Sequence, residues 1–422
     1  MNALPIVSEK LVKVSMEEPV VVDQAPSVLP PPELPPGAAP HAISGGAKEW
    51  GRWRLPKIYR LPGGELCATY SMSIDHHYDQ GRDSPVFTSK DEGASWAKAE
   101  WPHPGLSGMH PCIYPVFNGE YYSIPAVNGI NVEPYDMPEQ EDVYITVMKF
   151  AAYRLAECPK PVADWYRDIK AVRWSPESGW TDEQAVWEHE GQYIRTYHDK
   201  AQSIPGTWGQ RVFVESPIMK CGNELFLADY WTTFEDPPGK IPKFGVSCLM
   251  CSTDNGHTWK KRSVVPQVPM FTGEPAVEMN HAGEFVFAVR SEPDPFKMTE
   301  KYPATMYMTF SRDKGHTWDE MSPVLSYGVF PQLLQLGNGI MALSYGRAPG
   351  TWVSFSLDGG HSWTEPYAII DETGKKTSDG YTSLLSLGPD RFIIIYGDIH
   401  YKNAAGEECK TILTRVVTVN KA

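Results

Sequence analysis

Four copies of one eight-residue pattern limit what this chain can fold into. They read Ser89-Lys90-Asp91-Glu92-Gly93-Ala94-Ser95-Trp96, Ser252-Thr253-Asp254-Asn255-Gly256-His257-Thr258-Trp259, Ser311-Arg312-Asp313-Lys314-Gly315-His316-Thr317-Trp318 and Ser356-Leu357-Asp358-Gly359-Gly360-His361-Ser362-Trp363. Each is S-x-D-x-G-x-[ST]-W, and each follows an apolar run suited to a strand, such as Val353 to Phe355. The chemistry is that of a tight hairpin. Ser and Asp side chains bind turn N–H groups, Gly takes a backbone conformation that other residues avoid, and Trp fastens the turn to the sheet. Recurrence at intervals of tens of residues, with short antiparallel strands in each repeat, predicts a propeller rather than a solenoid.

Composition fits one large ring. The chain has 422 residues, 41% of them hydrophobic, with 14 Trp, 21 Tyr and 15 Phe, enough to bury a large core. A formal charge of −14 and the lack of a basic face with interleaved aromatics argue against a nucleic-acid partner, and no stretch is long and apolar enough to span a membrane. The seven cysteines are scattered, which predicts reduced thiols rather than a disulfide framework. Cys248-x-x-Cys251 has no second Cys/His pair at ligand spacing, so it reads as a buried structural pair, and neither a metal nor another cofactor is expected. Met1 to Lys13 carries no recognisable secretory signal, so the expected location is the cytoplasm, or outside it where a signal has been removed.

Residues 1–45 read as a terminal strand and a connector, and residues 46–422 as the propeller. Lys10 to Val22 suits a strand that closes the ring, and proline-rich Asp23 to Pro40 an extended crossing to the first blade, with an SH3 or WW ligand as the alternative. Trp96 and Trp259 lie 163 positions apart, against 59 and 45 for the next two intervals. At ~40–50 residues per repeat the long gap holds at least two blades with decayed boxes and an insertion. Candidate hairpins there are Cys112 to Val127, turning at Asn118-Gly119, and Arg211 to Thr232, turning at Gly222-Asn223. Asn128 to Asp142 reads as a surface loop; Phe150 to Leu155 reads as helix or strand, broken by Pro159 and Pro161. Trp180, Trp187, Tyr193 and Tyr197 read as core aromatics. The expected class is all-β: a six-bladed β-propeller of four-stranded antiparallel blades, seven also fitting the length, closed by the N-terminal strand.

The repeated turn resembles the Asp box, or BNR repeat, of the sialidase (neuraminidase) superfamily. The resemblance implies that the boxes lie on the rim away from the active site, so function rests on other residues. Trp53-Arg54-Leu55-Pro56 resembles the family's aromatic-Arg-Ile-Pro signature, which makes Arg54 one of three arginines that grip a sugar carboxylate through a bidentate fork. Asp79 matches the family's acid/base Asp. Many relatives carry Glu-x-Arg just before that loop, whereas this chain has Ser71-Met72-Ser73, and it adds His76 and His77. These histidines are candidate substrate ligands or acid/base groups, with metal binding beside Asp79 and plain packing or solvation as other readings. Glu274 opens a strand and Arg290 closes the next, 16 positions on, the spacing that brings both ends of a hairpin to one rim. By resemblance they are the catalytic Glu and the second arginine. Arg347, within Gly346-Arg347-Ala348-Pro349-Gly350, falls where the third would stand; Tyr381, within Ser378-Asp379-Gly380-Tyr381-Thr382-Ser383, matches the nucleophile; Asp398 stands near where relatives place a Glu that holds the first Arg.

The resemblance implies an exo-acting retaining glycoside hydrolase on an acidic terminal sugar. A carboxylate on the anomeric carbon repels an anionic nucleophile, and a Tyr assisted by Glu avoids that clash. Tyr381 is expected within hydrogen-bond reach of Glu274. Two other readings fit. One is a lyase or rhamnosidase-type enzyme on uronate glycans, in which His76, His77 or His110 supplies acid/base chemistry. The other is a glycan-binding propeller without catalysis.

Overall fold

The computed structural model describes residues 3–26, 54–71, 84–106, 112–125, 129–145, 148–188, 190–197, 207–209, 216–268, 271–292, 305–325, 328–346, 350–371 and 380–422. The chain is all-β apart from one α-helix and short 3-10 turns. No described helix is long and apolar enough to cross a membrane.

Most strands fall into antiparallel groups of four, numbered here in chain order. Sheet I comprises Arg54–Arg60, Leu66–Ser71, Val86–Ser89 and Ala97–Ala99. Sheet II comprises Tyr114–Pro115, Tyr121–Ser123, Asp168–Ser175 and Gly179–Trp187; sheet III comprises Met219–Cys221, Glu224–Asp229, Cys248–Ser252 and Thr258–Val264. The outer strands of II and III pair in parallel at Val186↔Thr258 and Trp187↔Trp259, which merges the two groups into one eight-stranded sheet. Sheet IV comprises Phe271–Met279, Phe285–Glu292, Thr305–Ser311 and Ser322–Leu325; sheet V comprises Val329–Gln335, Met341–Gly346, Gly350–Ser356 and Tyr367–Asp371. Sheet VI comprises Thr382–Ser386, Arg391–Lys402 and Glu408–Lys421, completed by Val12–Met16 from the N-terminus.

Each sheet is buried on both faces, and this is why many strands are continuous apolar runs rather than alternating ones. In Arg391–Lys402, Phe392, Ile394 and Tyr396 join the core shared with sheet V, while Ile393 and Ile395 join the core shared with sheet I. In sheet IV, Phe285, Phe287 and Val289 face sheet III, and Val286 and Ala288 face sheet V. Sheets I and II share a core around Tyr59, Leu61, Ile113 and Val172, and II and III another around Tyr122, Trp187 and Trp259. The last sheet therefore packs on the first. All seven cysteines are free, as expected. Cys248 faces the core of sheets II and III and Cys251 that of III and IV, so the two sulfurs point to opposite faces of one strand.

The boxes join third to fourth strands in sheets I, III, IV and V, with one geometry four times over. The Ser hydroxyl accepts from the Gly N–H at 2.7–2.8 Å. The Asp carboxylate accepts from the Ser or Thr N–H at 2.8–2.9 Å. The box Trp does more than fasten its own turn: it reaches the preceding sheet. Trp318 Nε1 donates to Ser263 of sheet III at 2.8 Å, and Trp96 Nε1 donates to Thr414 of sheet VI at 3.1 Å. The box Gly fits against that same neighbour. A Cβ on Gly315 would lie 2.2 Å from Leu249, and one on Gly93 would lie 2.5 Å from Ile393.

Polar staples lie beside these turns. Glu120, Glu224 and Glu284 each follow the first hairpin turn of their sheet and meet a box residue of the next sheet. Glu120 accepts from Asn255 at 2.9 Å, Glu224 pairs with Lys314 at 3.5 Å, and Glu284 pairs with His361 at 2.9 Å. The N-terminal segment adds a strap. Leu4 N donates to Pro323 O of sheet IV at 2.9 Å, Ile6–Val7 pairs with Trp363–Thr364, and the Tyr70 hydroxyl of sheet I donates to Asp23.

Several expectations are corrected. Asp23 to Pro26 belongs to a strand, Val20–Pro26, paired with Glu408–Lys421, so the connector begins later than Asp23. Among the described residues, the long interval between the first two boxes contains one complete four-stranded group without a full box, sheet II, whose last turn runs from Ser175 to Trp180, where at least two such groups were expected. It also contains an additional sheet. Ile130–Asn131, Glu141–Ile145, Met148–Arg154, Gln192–Tyr197, Trp208–Gly209 and Thr233–Phe234 form it from connections between the main strands, so the loop expected over Asn128 to Asp142 carries strand residues. Pro159 and Pro161 start a helix, Lys160–Arg167, instead of breaking one: Pro159 is its N-cap, and Pro161 lies in the first turn, where a missing N–H costs nothing. Trp187 and Tyr193 are core, as expected.

The joints between sheets give two predictions. Gly315→Ala adds a side chain where φ is +79° and Leu249 stands in the way, whereas Gly283→Ala, at φ +82°, meets nothing within 4 Å. Gly283→Ala is expected to cost about 1 kcal/mol and Gly315→Ala about 2–4 kcal/mol, read from paired urea unfolding curves. The second concerns acid. Burial alone raises the Glu284 carboxyl, but His361, Asn280 and Arg312 outweigh it and hold it below its ordinary value. A carboxyl depressed in the folded state stabilises above its unfolded pKa of about 4.3 and loses that contribution as pH falls through the folded value. Glu284→Gln is therefore expected to lower the melting temperature at pH 7 and to differ little from the parent near pH 3.

Candidate active site

In each four-strand meander the first strand starts, and the second ends, at the rim opposite the box. Three sheets begin their first strand there with the same distortion. The pairing slips between Arg54 and Lys57, between Gly273 and Ala276, and between Val329 and Gln332. In each bulge a non-glycine residue adopts positive φ, Leu55 at 53°, Glu274 at 46° and Phe330 at 52°, and a proline follows it: Pro56, Pro275 and Pro331. Proline has no N–H to lose from the ladder, so it suits the extra residue of a bulge.

Glu274 is the hub of the rim. Its Oε1 accepts from Arg290 Nη1 at 2.7 Å and from the Tyr381 hydroxyl at 3.0 Å, and its Oε2 accepts from the Phe330 N–H at 3.0 Å. These donors come from sheets IV, VI and V. Glu274 and Arg290 are 7% and 8% exposed, so the ion pair is shielded from solvent and its geometry is fixed. Burial works against the charge of Arg290, but the facing Glu274 carboxylate and Tyr381 phenol outweigh it and hold the guanidinium above its ordinary pKa.

Glycines make the approach possible. A Cβ on Gly346 would lie 2.3 Å from Gly380 Cα, so the backbones of sheets V and VI meet beside Tyr381. One on Gly273 would lie 2.3 Å from the Phe271 ring and 3.0 Å from Tyr230, which packs an aromatic pair against the Glu274 strand. The Phe330 ring stands 4.9 Å from that of Tyr381, tilted by 57°, and Lys57 Nζ lies 4.6 Å from the Phe330 centroid. Lys57, 2% exposed, was not foreseen in the sequence. The signal was a lysine within an apolar strand, three positions after Arg54.

The structure thus brings together Glu274, Arg290 and Tyr381. Arg54 begins the first strand of sheet I, paired with Ser71. Its side chain, with Asp79, His76, His77, His110 and Arg347, lies outside the described residues. Asp398 accepts from the His400 N–H at 2.8 Å. Among the described residues no three His, Cys, Asp or Glu side chains converge as a metal site.

A family model described as a BNR repeat-like domain matches residues 168–414, more than half of the chain. The protein belongs to the BNR repeat-like domain family. The match begins at the third strand of sheet II and runs into the last strand of sheet VI, and the resemblance to the sialidase-like BNR propeller superfamily seen in the boxes agrees with it. No curated protein matches the sequence. Among solved structures, this BNR repeat-like protein is similar to a Dyadobacter fermentans protein of unknown function, at 15% identity and TM-score 0.60, over 96% of this chain and 99% of that one. It is similar to a Penicillium chrysogenum alpha-L-arabinanase complexed with arabinobiose, at 12% identity and TM-score 0.51, over 94% and 98%. It is also similar to the GH93 alpha-L-arabinofuranosidase of Fusarium graminearum with arabinobiose, at 13% identity and TM-score 0.50, over 94% and 97%. At such identities the likeness is one of fold.

Removing one partner of a buried pair leaves the other charge stranded. Glu274→Ala is therefore expected to destabilise the protein by about 3 kcal/mol. Combining it with Arg290→Met is expected to recover part of the loss, so that a double-mutant cycle by chemical unfolding gives a coupling of about 1 kcal/mol or more.

Proposed function

We propose that this BNR repeat-like protein is a six-bladed propeller glycoside hydrolase that cleaves an acidic terminal sugar with retention, using Tyr381 as nucleophile. The observation that carries the reading is the 3.0 Å hydrogen bond from the Tyr381 hydroxyl to Glu274, on a carboxylate also gripped by Arg290. The six successive cores between neighbouring sheets support the blade count.

In this mechanism Tyr381 Oη attacks the anomeric carbon as its proton passes to Glu274. The bond to the leaving oxygen breaks, and that oxygen takes its proton from Asp79. A water then attacks the same carbon, giving its proton to Asp79, and Tyr381 departs with the proton held by Glu274. Arg54, Arg290 and Arg347 hold the sugar carboxylate, with His76 and His77 as further substrate contacts. Buried Arg290 and Lys57 against Glu274 make the described part of the site net positive in a chain of formal charge −14, which suits an anionic ligand.

A second reading is an arabinan-type hydrolase acting on a neutral sugar. It is favoured by the arabinobiose held in the similar Penicillium and Fusarium enzymes. Incubation with an aryl sialoside, with arabinobiose and with a uronate oligosaccharide separates the readings. Released aglycone supports the first and released arabinose the second; ultraviolet absorbance from a new double bond, without aglycone, indicates a lyase and overturns both. On its substrate, Tyr381→Phe is expected to lower kcat by a factor of about a thousand with KM changed little. Full activity in that variant removes Tyr381 as nucleophile.

A further inference from the structure

Three buried arginines in the described structure differ in one respect. Arg173 donates to the carboxylates of Glu183 and Glu120 at 2.7 Å each, and Arg290 donates to Glu274 at 2.7 Å. Arg195, 6% exposed, has no carboxylate within salt-bridge distance among the described residues. Its Nη2 donates to the carbonyl oxygens of Tyr230 at 2.8 Å and Trp231 at 3.2 Å, while its buried Nη1 has no hydrogen-bond partner among the described residues. The guanidinium lies 5.8 Å from the Phe150 ring centroid and 5.5 Å from that of Trp231. Burial pushes its pKa down, against the opposite pull of the Tyr193 and Tyr230 phenols and of the Asp229 carboxylate, which acts from beyond salt-bridge distance. A cation held rigidly out of water with an open donor is costly to the free protein and is favoured by an anion that enters with its own charge.

Its position ties it to the site. Arg195 lies on Gln192–Tyr197 of the additional sheet, which is built from connections on the rim opposite the boxes. Tyr230, whose carbonyl it holds, stacks edge-on with Phe271, and both rings touch the space beside Gly273, next to Glu274. Asp229 fixes the same segment, accepting from Trp231 N at 2.8 Å and Thr232 N at 2.9 Å, and with both bonds made its buried carboxylate leaves Arg195 Nη1 unpaired.

We propose that Arg195 anchors a second anion subsite, which takes a carboxylate or sulfate ester carried by the sugar residue next to the one held at Glu274. The planar guanidinium, fixed on one edge by two carbonyls, presents Nη1 to the acidic group, and the rings of Phe150 and Trp231 exclude water from it. The natural substrate is then an oligosaccharide with two acidic groups. That last step rests on the hydrolase reading; the subsite itself does not.

The test uses the full chain and two probes. Crystals soaked in sodium selenate, an anion visible by its anomalous signal, are expected to show a peak about 4 Å from Arg195 Nη1, which leaves a selenate oxygen within hydrogen-bond reach. The peak is expected to vanish in Arg195→Met, weaken in Arg195→Lys, and persist in Tyr381→Phe. Calorimetric titration with glucuronic acid is expected to show at least tenfold weaker binding at one site in Arg195→Met. No selenate at Arg195 in the parent protein, or glucuronate binding unchanged in both Arg195 variants, overturns the subsite. If Arg195→Met does not fold, Arg195→Lys decides alone, because a single ammonium loses the fork while keeping the charge. A Tyr381→Phe variant that stays fully active while selenate still requires Arg195 defeats the hydrolase reading and leaves the subsite standing; the opposite pattern does the reverse.

Discussion

The joint between each box turn and the sheet before it is the contact on which the rest of the molecule depends. Glu274 receives hydrogen bonds from three sheets at 2.7–3.0 Å. Such bonds weaken steeply within a few tenths of an ångström, so the sheets must hold their relative positions closely. At the site rim the groups stand on strand ends, where sheets V and VI meet at Gly346 and Gly380. The fixing happens at the far rim, where Gly315 is wedged against Leu249 and Trp318 is bound to Ser263. Gly93 and Trp96 make the same joint between the first sheet and the last. Scaffold and site occupy opposite ends of the same strands, which lets the repeated end stay uniform while the other end varies.

At the variable end the distortion is repeated too. Leu55, Glu274 and Phe330 each adopt a conformation that costs a non-glycine residue about 1–2 kcal/mol. A cost met three times at equivalent positions has a structural cause. The bulge turns a strand end that would otherwise continue its ladder, and the following proline removes a donor that the turned backbone could not satisfy. At Phe330 the turn aims the backbone N–H at Glu274 Oε2; at Glu274 it brings the carboxylate between Arg290 and Tyr381. The strain sits where Glu274 gathers its partners, and strained backbone of this kind clusters at functional sites.

What could be read in the sequence was local in the chain. The box turns, the hairpins turning at Asn118-Gly119 and Gly222-Asn223, and the facing ends Glu274 and Arg290 each follow from residues a few positions apart or from one hairpin's length. What escaped depends on partners far away in the chain. Lys57 became a site residue because Phe330, on another sheet, lies beneath its ammonium. The staple glutamates Glu120, Glu224 and Glu284 follow a turn in three sheets, a repeat visible in the sequence, but their role appears only when the next sheet's box residue meets them. The additional sheet could not be foreseen, since Ile130–Asn131 and Trp208–Gly209 are two-residue strands held by pairing with each other, and by that of the second with Gln192–Tyr197, across the fold. Pro159 and Pro161 misled because proline breaks a helix interior yet suits a helix start, and the choice depends on where the helix begins.

The arrangement of charge bears on the kind of sugar. An acidic protein that buries cations at one rim gains selectivity from desolvation, because a buried cation discriminates between a neutral and an anionic ligand far more strongly than an exposed one does. Arg173 shows how the chain treats a buried arginine whose role is structural, since two carboxylates surround its guanidinium. Arg290 pairs with one carboxylate among the described residues, and that one is shared with Tyr381. Arg195 has none within salt-bridge distance among the described residues, only the more distant Asp229. Compensation therefore thins out from the blade interior through Glu274 to the additional sheet. A neutral disaccharide such as arabinobiose would bring no charge to this gradient, whereas the proposed glycan with acidic groups on successive residues would meet it at both ends. On the proposed reading, the choice between the two chemistries lies in a few sparsely compensated positive charges at the variable rim.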